Sequence, residues 1–129
     1  MKLLLDTHIW IWSLLNPEKL GRRVRRSLES RGNEVWFSPI SIWELMLLVE
    51  KRRFTVEGDL AAWVSKATAP LLEAPLTAEI VMELGRFSLP QGDPADRFLA
   101  ATARHLGLAL VTADRHLLES KVVSVLPNS

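Results

Sequence analysis

Three consecutive leucines, Leu3 to Leu5, run straight into Asp6 and Thr7. A short unbroken apolar run has no outward-facing polar side, so it predicts a strand covered on both faces, as in parallel sheets flanked by helices. Ligands of such sheets bind at the carboxyl ends of the strands. Asp6 stands at that position. A carboxylate there is costly to desolvate unless it meets a cation or a hydrogen-bond donor.

The rest of the chain carries the same pattern. Asn16-Pro17, Ser38-Pro39 and Asp93-Pro94 each place a capping residue before a proline at a first helical position. Strands are predicted at about Lys2 to Leu5, Val35 to Phe37, Leu71 to Ala74, Leu108 to Val111 and Val122 to Leu126. Between them come helices capped by Thr7 and running to Leu14, then Asn16 to Gly32, Ser38 to Lys51, Gly58 to Ala67, Thr77 to Phe87, and Asp93 to a left-handed cap at Gly107. Alternation of this kind implies a three-layer α/β/α domain with a parallel sheet of about four to five strands.

Composition sets limits on what that domain can do. At 129 residues, 48% of them hydrophobic, residues 1–129 are expected to form a single domain with a proper core. Sixteen Lys and Arg against fifteen Asp and Glu leave a net charge of +1, which disfavours a general nucleic-acid coat or a polybasic membrane binder. The absence of cysteine excludes disulfides, thiol nucleophiles and zinc–thiolate sites. No apolar run is long enough to span a membrane, and the N-terminal one is too short for a signal peptide, so a cytoplasmic protein is expected.

Four acids are candidates for one site. Asp6 ends the first strand, and Asp114 follows the strand LALVT, with Thr112 two residues before it. Glu44 lies in the helix PISIWELMLLVE among apolar neighbours on nearly every side, which predicts burial, and buried Glu is rare unless paired. Asp93 and Asp96 begin the helix DPADRFLAATA; Asp93 is assigned to capping and Asp96 to the site. Taken singly, each could serve as a cap or surface acid. Together, two stand at strand ends and two on helices able to face the same edge. Carboxylates about 4 Å apart repel by roughly 4 kcal/mol at an effective dielectric of 20. Ionised in one cleft, four would need a cation, and all-oxygen donors select magnesium or manganese. Phosphodiester hydrolysis is the reaction best served.

These segments resemble a known family. LLLDTHIWIW, SIWEL, DPADRFLAATA and LVTAD are similar, in order, to the four motif regions of PIN-domain ribonucleases, specifically the VapC-type toxins of toxin–antitoxin modules, over residues 3–114. The resemblance implies a PIN-like fold and a Mg²⁺- or Mn²⁺-dependent endoribonuclease, usually a homodimer, held inactive by a cognate antitoxin. It implies an RNA substrate, with tRNA a candidate, and products with 5′-phosphate and 3′-hydroxyl ends. On it Asp6 and Asp96 match the principal metal ligands, Glu44 and Asp114 complete the catalytic and metal site, and Thr7 and Thr112 match supporting positions. One departure is Leu48, where many relatives carry lysine; it removes a charge partner for Glu44.

Other residues invite weaker readings. His8, His105 and His116 share no ligand-like spacing, and only His8 lies near the predicted cleft, where it could contact a phosphate. Arg22, Arg23, Arg25, Arg26 and Arg31, and separately Lys51 to Arg53, are either solvated faces or tracks for an RNA backbone. Most of the tryptophans Trp10, Trp12, Trp36 and Trp43 are expected in the core, since base stacking requires exposure, while Trp12 and Trp63 could line a groove for a dimer or antitoxin. Rival functions fit less well. A receiver domain wants adjacent acids after the first strand, and a haloacid-dehalogenase-like phosphatase wants a second Asp where His8 stands. A non-catalytic PIN-fold module binding RNA or a protein partner is the alternative.

Overall fold

A computed structural model describes residues 1–90 and 93–129. Its elements run β1 (Lys2–Leu5), α1 (Thr7–Leu15), α2 (Arg22–Glu29), β2 (Glu34–Phe37), α3 (Pro39–Glu50), α4 (Leu60–Thr68), β3 (Leu72–Glu73), α5 (Ala78–Glu83), α6 (Pro94–Leu106), β4 (Ala109–Thr112), α7 (Arg115–Ser120) and β5 (Val125–Pro127). The five strands form one sheet in the order β3-β2-β1-β4-β5, and every pairing is parallel.

The leucine run behaves as its composition demands. Leu3 and Leu5 face one layer with Ile9, Trp10, Val24 and Leu45, while Leu4 faces the other with Leu99, Ala100, Ala103 and Leu117. All three leucines are essentially inaccessible to water. Small residues on α6 let that helix sit close on the sheet, and Gly107 ends it in the left-handed region at φ 67°.

Three local expectations need correction. Asp6, not Thr7, caps α1, and Thr7 is the first helical residue. The segment from Asn16 to Gly32 is not one helix: a 3₁₀ turn at Pro17–Lys19 precedes α2, and the break falls at Gly21. A Cβ at Gly21 would lie 2.1 Å from the Ser129 carbonyl oxygen, so the close approach of the backbone at Ser129, beyond β5, requires glycine there. The helix beginning at Ala78 likewise ends at Glu83 and tightens to a 3₁₀ turn, Leu84–Arg86.

The order of strands has a functional consequence. From β1 the chain moves outward through β2 and β3, then returns to the other side of β1 for β4 and β5. The reversal lies between β1 and β4, the neighbours at which connections part to opposite sides and a crevice opens. Asp6 and Asp114 follow those two strands.

A candidate active site at the sheet's switch point

Asp6 is held from three directions. Its backbone N–H donates to the Val111 carbonyl of β4 (2.9 Å), fixing where the side chain starts. Oδ1 accepts the Thr7 N–H at 2.7 Å, and Oδ2 accepts the Thr112 hydroxyl at 2.7 Å. The Thr112 hydroxyl oxygen also accepts the backbone N–H of Asp114 at 3.0 Å, so one buried side chain links the ends of both central strands. Asp114 in turn caps α7, its Oδ1 accepting the N–H groups of His116 and Leu117.

Glu44 reaches the same place from α3. The Thr7 hydroxyl donates to Glu44 Oε1 and lies 2.8 Å from Ser41 Oγ. Ser41 is fully buried one helical turn before Glu44. Asp96 comes from the first turn of α6, where its N–H donates to Asp93 Oδ1 at 3.0 Å. Asp6, Glu44, Asp96 and Asp114, with Asp93, His8, Trp12 and Ala113, line a cavity of about 240 Å³. All four predicted acids are therefore brought to one wall of the crevice, with Thr7 and Thr112 as direct supports of two of them.

The electrostatics are those of a cleft with too few positive charges. Burial raises the Asp6 carboxyl above its ordinary value, opposed by the Thr112 hydroxyl, the Thr7 N–H and the charge of His8. Burial pushes Glu44 up to about 7, aided by Asp93 and Asp6 and opposed by the Thr7 hydroxyl. Asp96 is pushed to about 8, first by burial and then by repulsion from Asp6, Asp93, Asp114 and Glu44. Among the described residues no three acidic or imidazole groups are already gathered tightly enough to hold an ion. The donor set is nevertheless all oxygen and mutually repelling, and a hard divalent cation suits it.

Two residues of the site escape the sequence pattern, and a third feature departs from it. Ser41 enters the pattern only as a neighbour of Glu44; its signal is the three-residue spacing that puts it on the same helix face. Asp93 caps α6 as expected, yet it also lines the cavity and repels Glu44 and Asp96. Helix α3 is not buried all round, for Trp43 is 46% and Met46 43% exposed. Trp10 is core, its indole N–H donating to the Ala67 carbonyl, and Trp63 packs edge-on against it. His8 is on the exposed rim, its ring 6.0 Å from that of Trp12.

The PIN domain family model matches residues 3–121 of this chain, which includes all four acids. The chain belongs to the PIN-domain family. It is 31% identical over 117 residues to Ribonuclease VapC22 of Mycobacterium tuberculosis, a match covering 88% of each protein. The fold is similar to VapBC2 from Rickettsia felis bound to a promoter DNA fragment, with a TM-score of 0.77, 18% identity and full coverage of both chains. It is also similar to VapBC-5 of the M. tuberculosis toxin–antitoxin systems, at TM-score 0.62 and 17% identity over 98% of each chain.

Proposed function

We propose that this PIN-domain chain is an endoribonuclease that hydrolyses RNA phosphodiester bonds, and that it is the toxin of a toxin–antitoxin pair. The observation that carries the reading is the acidic cleft at the β1–β4 switch point, where burial and mutual repulsion push Glu44 to about 7 and Asp96 to about 8. The relative named as a ribonuclease and the solved toxin–antitoxin neighbour support it.

In this reading residues 1–129 form one domain, Asp6 and Asp96 are the principal ligands of Mg²⁺ or Mn²⁺, and Asp114 helps hold the ion. The ion, when bound, supplies charge stabilisation at phosphate and a more acidic water. The protein's own part is alignment. Thr112 and the Thr7 N–H hold both Asp6 oxygens, so the carboxylate cannot swing away from the cleft. Thr7 occupies Glu44 Oε1 and leaves Oε2 to orient the attacking water and take its proton. Water adds to phosphorus, the bond to the 3′ oxygen breaks, that oxygen takes a proton from solvent, and the products are a 5′-phosphate and a 3′-hydroxyl. Exposed arginines of α2, with Lys19 5.5 Å from the Trp12 ring, offer a path for the strand's phosphates outside the cleft.

A cognate antitoxin would inhibit most simply by laying a helix along the surface and placing an Arg or Lys among the acids. The active form is proposed to be a homodimer in the cytoplasm; among the described residues no helix is long and apolar enough to cross a membrane. The deciding experiment incubates purified protein with tRNA and a generic single-stranded RNA in Mg²⁺, Mn²⁺ or EDTA. Discrete fragments that require metal support the enzyme. Stable RNA or partner binding without cleavage of either RNA would favour the non-catalytic module instead. Co-expression with the product of a neighbouring small reading frame should abolish cleavage, and full activity in such a complex would count against the toxin reading.

A further inference from the structure

A second cavity, of about 290 Å³, opens from the acidic cleft and shares His8, Glu44 and Asp93 with it. Trp43, Leu48, Lys51 and Arg53 line one side of it and Pro94 the other. We propose that this cavity is a nucleobase subsite, resting on the ribonuclease reading: Trp43 stacks on the base of a nucleotide adjoining the scissile phosphate, while Lys51 and Arg53 hold a phosphate of the same strand.

The residues are placed for that task by the end of α3. Trp43 is next to Glu44 in sequence, yet the residue is 46% exposed and lines this cavity. Lys51 N–H makes the last helical bond, to the Leu47 carbonyl, and the chain then turns back so that Arg53 N–H donates to the Leu48 carbonyl. Arg52 takes up the left-handed conformation, φ 57°, that this reversal needs. Glycine is the ordinary residue for such a turn. Here the turn carries three successive cations and returns two of them to the wall of the cavity. Lys51 and Arg53 are exposed and form no ion pair with a described residue.

Aromatic ring, apolar floor and two free cations match a single strand, which offers base faces and phosphates in alternation. A purely apolar partner would leave Lys51 and Arg53 unmatched. Continuity with the catalytic cleft also gives the pocket a use, because a base seated there fixes which phosphate lies among the acids.

The test is binding of a fluorescein-labelled single-stranded RNA octamer to the catalytically blocked Asp96→Asn protein, by anisotropy, with a series of octamers each carrying one abasic position. The proposal expects one abasic position to weaken binding about tenfold, the size of one base–aromatic stack. Adding Trp43→Ala should weaken the intact octamer about tenfold and remove sensitivity at that position, and Trp43→Phe should restore both. Lys51→Ala with Arg53→Ala should reduce the salt slope of binding by about 0.7, the value for one phosphate of a single strand. An unchanged abasic profile in Trp43→Ala overturns the proposal, and does so also if that variant changes sedimentation mass, which would make the ring a contact between copies. Metal-dependent cleavage by the otherwise native protein alongside such a result would leave the ribonuclease reading intact. If native protein neither binds nor cuts any RNA, both fail together.

Discussion

The two ends of the sheet bury acids in opposite ways. At the end where β1 begins, Glu83 of α5 is 8% exposed and meets Arg104 Nε at 3.0 Å and Arg86 at 3.6 Å. Arg104 also donates to the Val122 carbonyl and lies over the Phe87 ring, so its charge is matched in several directions. At the other end Asp6 and Asp96 are as deeply buried, but the Asp6 carboxylate accepts from a hydroxyl and an amide rather than from a cation, and Asp96 is repelled by Asp6, Asp93, Asp114 and Glu44. The cavity beside Glu83 is the larger, about 520 Å³ against about 240 Å³ at the acidic cleft. Size alone would favour the Glu83 end. A paired buried acid completes itself, whereas an unpaired group of them is finished only by something bound, and that distinction is the reason for proposing the acidic cleft as the site.

The comparison breaks most visibly at Asp96. Asp96→Asn should lower RNA cleavage by at least about 100-fold, beyond the effect of removing a mere support. The same change should leave the metal-free protein as stable as before or more so at pH 8.5, because it deletes a repelling charge. Gel assays and thermal melting check the two halves; an Asp96→Asn protein that still cuts would remove the residue from the site. Arg104→Leu should do the reverse. It leaves the buried Glu83 with only the longer contact to the exposed Arg86, costs roughly 2–3 kcal/mol in urea unfolding, and leaves cleavage per folded molecule unchanged. Thr112→Val falls between them: about 10–100-fold in cleavage or metal affinity, since Asp6 loses the donor to Oδ2.

Acidity sharpens the same contrast. In the metal-free protein Glu44 and Asp96 bind their protons more tightly than in the unfolded chain, with values near 7 and 8 against 4.5 and 3.8. Below the unfolded values both states are protonated and the groups contribute nothing. As pH rises through the interval the unfolded chain releases its protons first, so stability falls from about pH 4 to pH 8 and levels off above. Melting temperature should therefore drop between pH 5 and 8.5 without metal, and saturating Mg²⁺ or Mn²⁺ should remove most of the drop. Asp96→Asn should flatten the slope, while Arg104→Leu should keep it. A flat profile for the native protein would mean that the acids are better solvated than their burial implies.

Much of this contrast is legible in the amino-acid order, and the limits have physical causes. Leu3 to Leu5 are apolar without interruption, so the buried parallel strand and its carboxyl end at Asp6 follow from the residue order alone. Proline after a capping residue locates α3 and α6, and Gly107 locates the end of α6. The break at Gly21 is not legible, because it depends on Ser129, more than a hundred residues away in sequence. The apolar run of α3 implies burial on all sides; one face of it is open, and a residue pattern carries no information about which neighbours are missing. The four acids stand out as a group because their signals are local: Asp6 and Asp114 follow strands, Asp96 lies in a first turn, and Glu44 interrupts an otherwise apolar helix. The role of Ser41 depends on how α1 and α3 approach one another, and the second role of Asp93 on how α3 and α6 do, which the sequence does not specify.

Asp93 tests the boundary between the two kinds of acid. Its side chain is a cap, accepting the Asp96 N–H, and losing such a cap costs about 1 kcal/mol. It also lines the cleft and raises both Glu44 and Asp96. The two roles have opposite signs for stability, and only the second depends on whether its neighbours are ionised. Asp93→Ala should therefore destabilise the metal-free protein by about the full cap value at pH 5.5, where Glu44 and Asp96 hold their protons, and by clearly less at pH 8.5. Asp93→Asn, which keeps an accepting oxygen without the charge, should be nearly neutral at the lower pH and stabilising at the higher. Urea unfolding of the three proteins at both pH values decides the matter. Equal losses for Asp93→Ala at the two pH values would make Asp93 a cap alone, and the repulsion within the cleft would then come from the other acids.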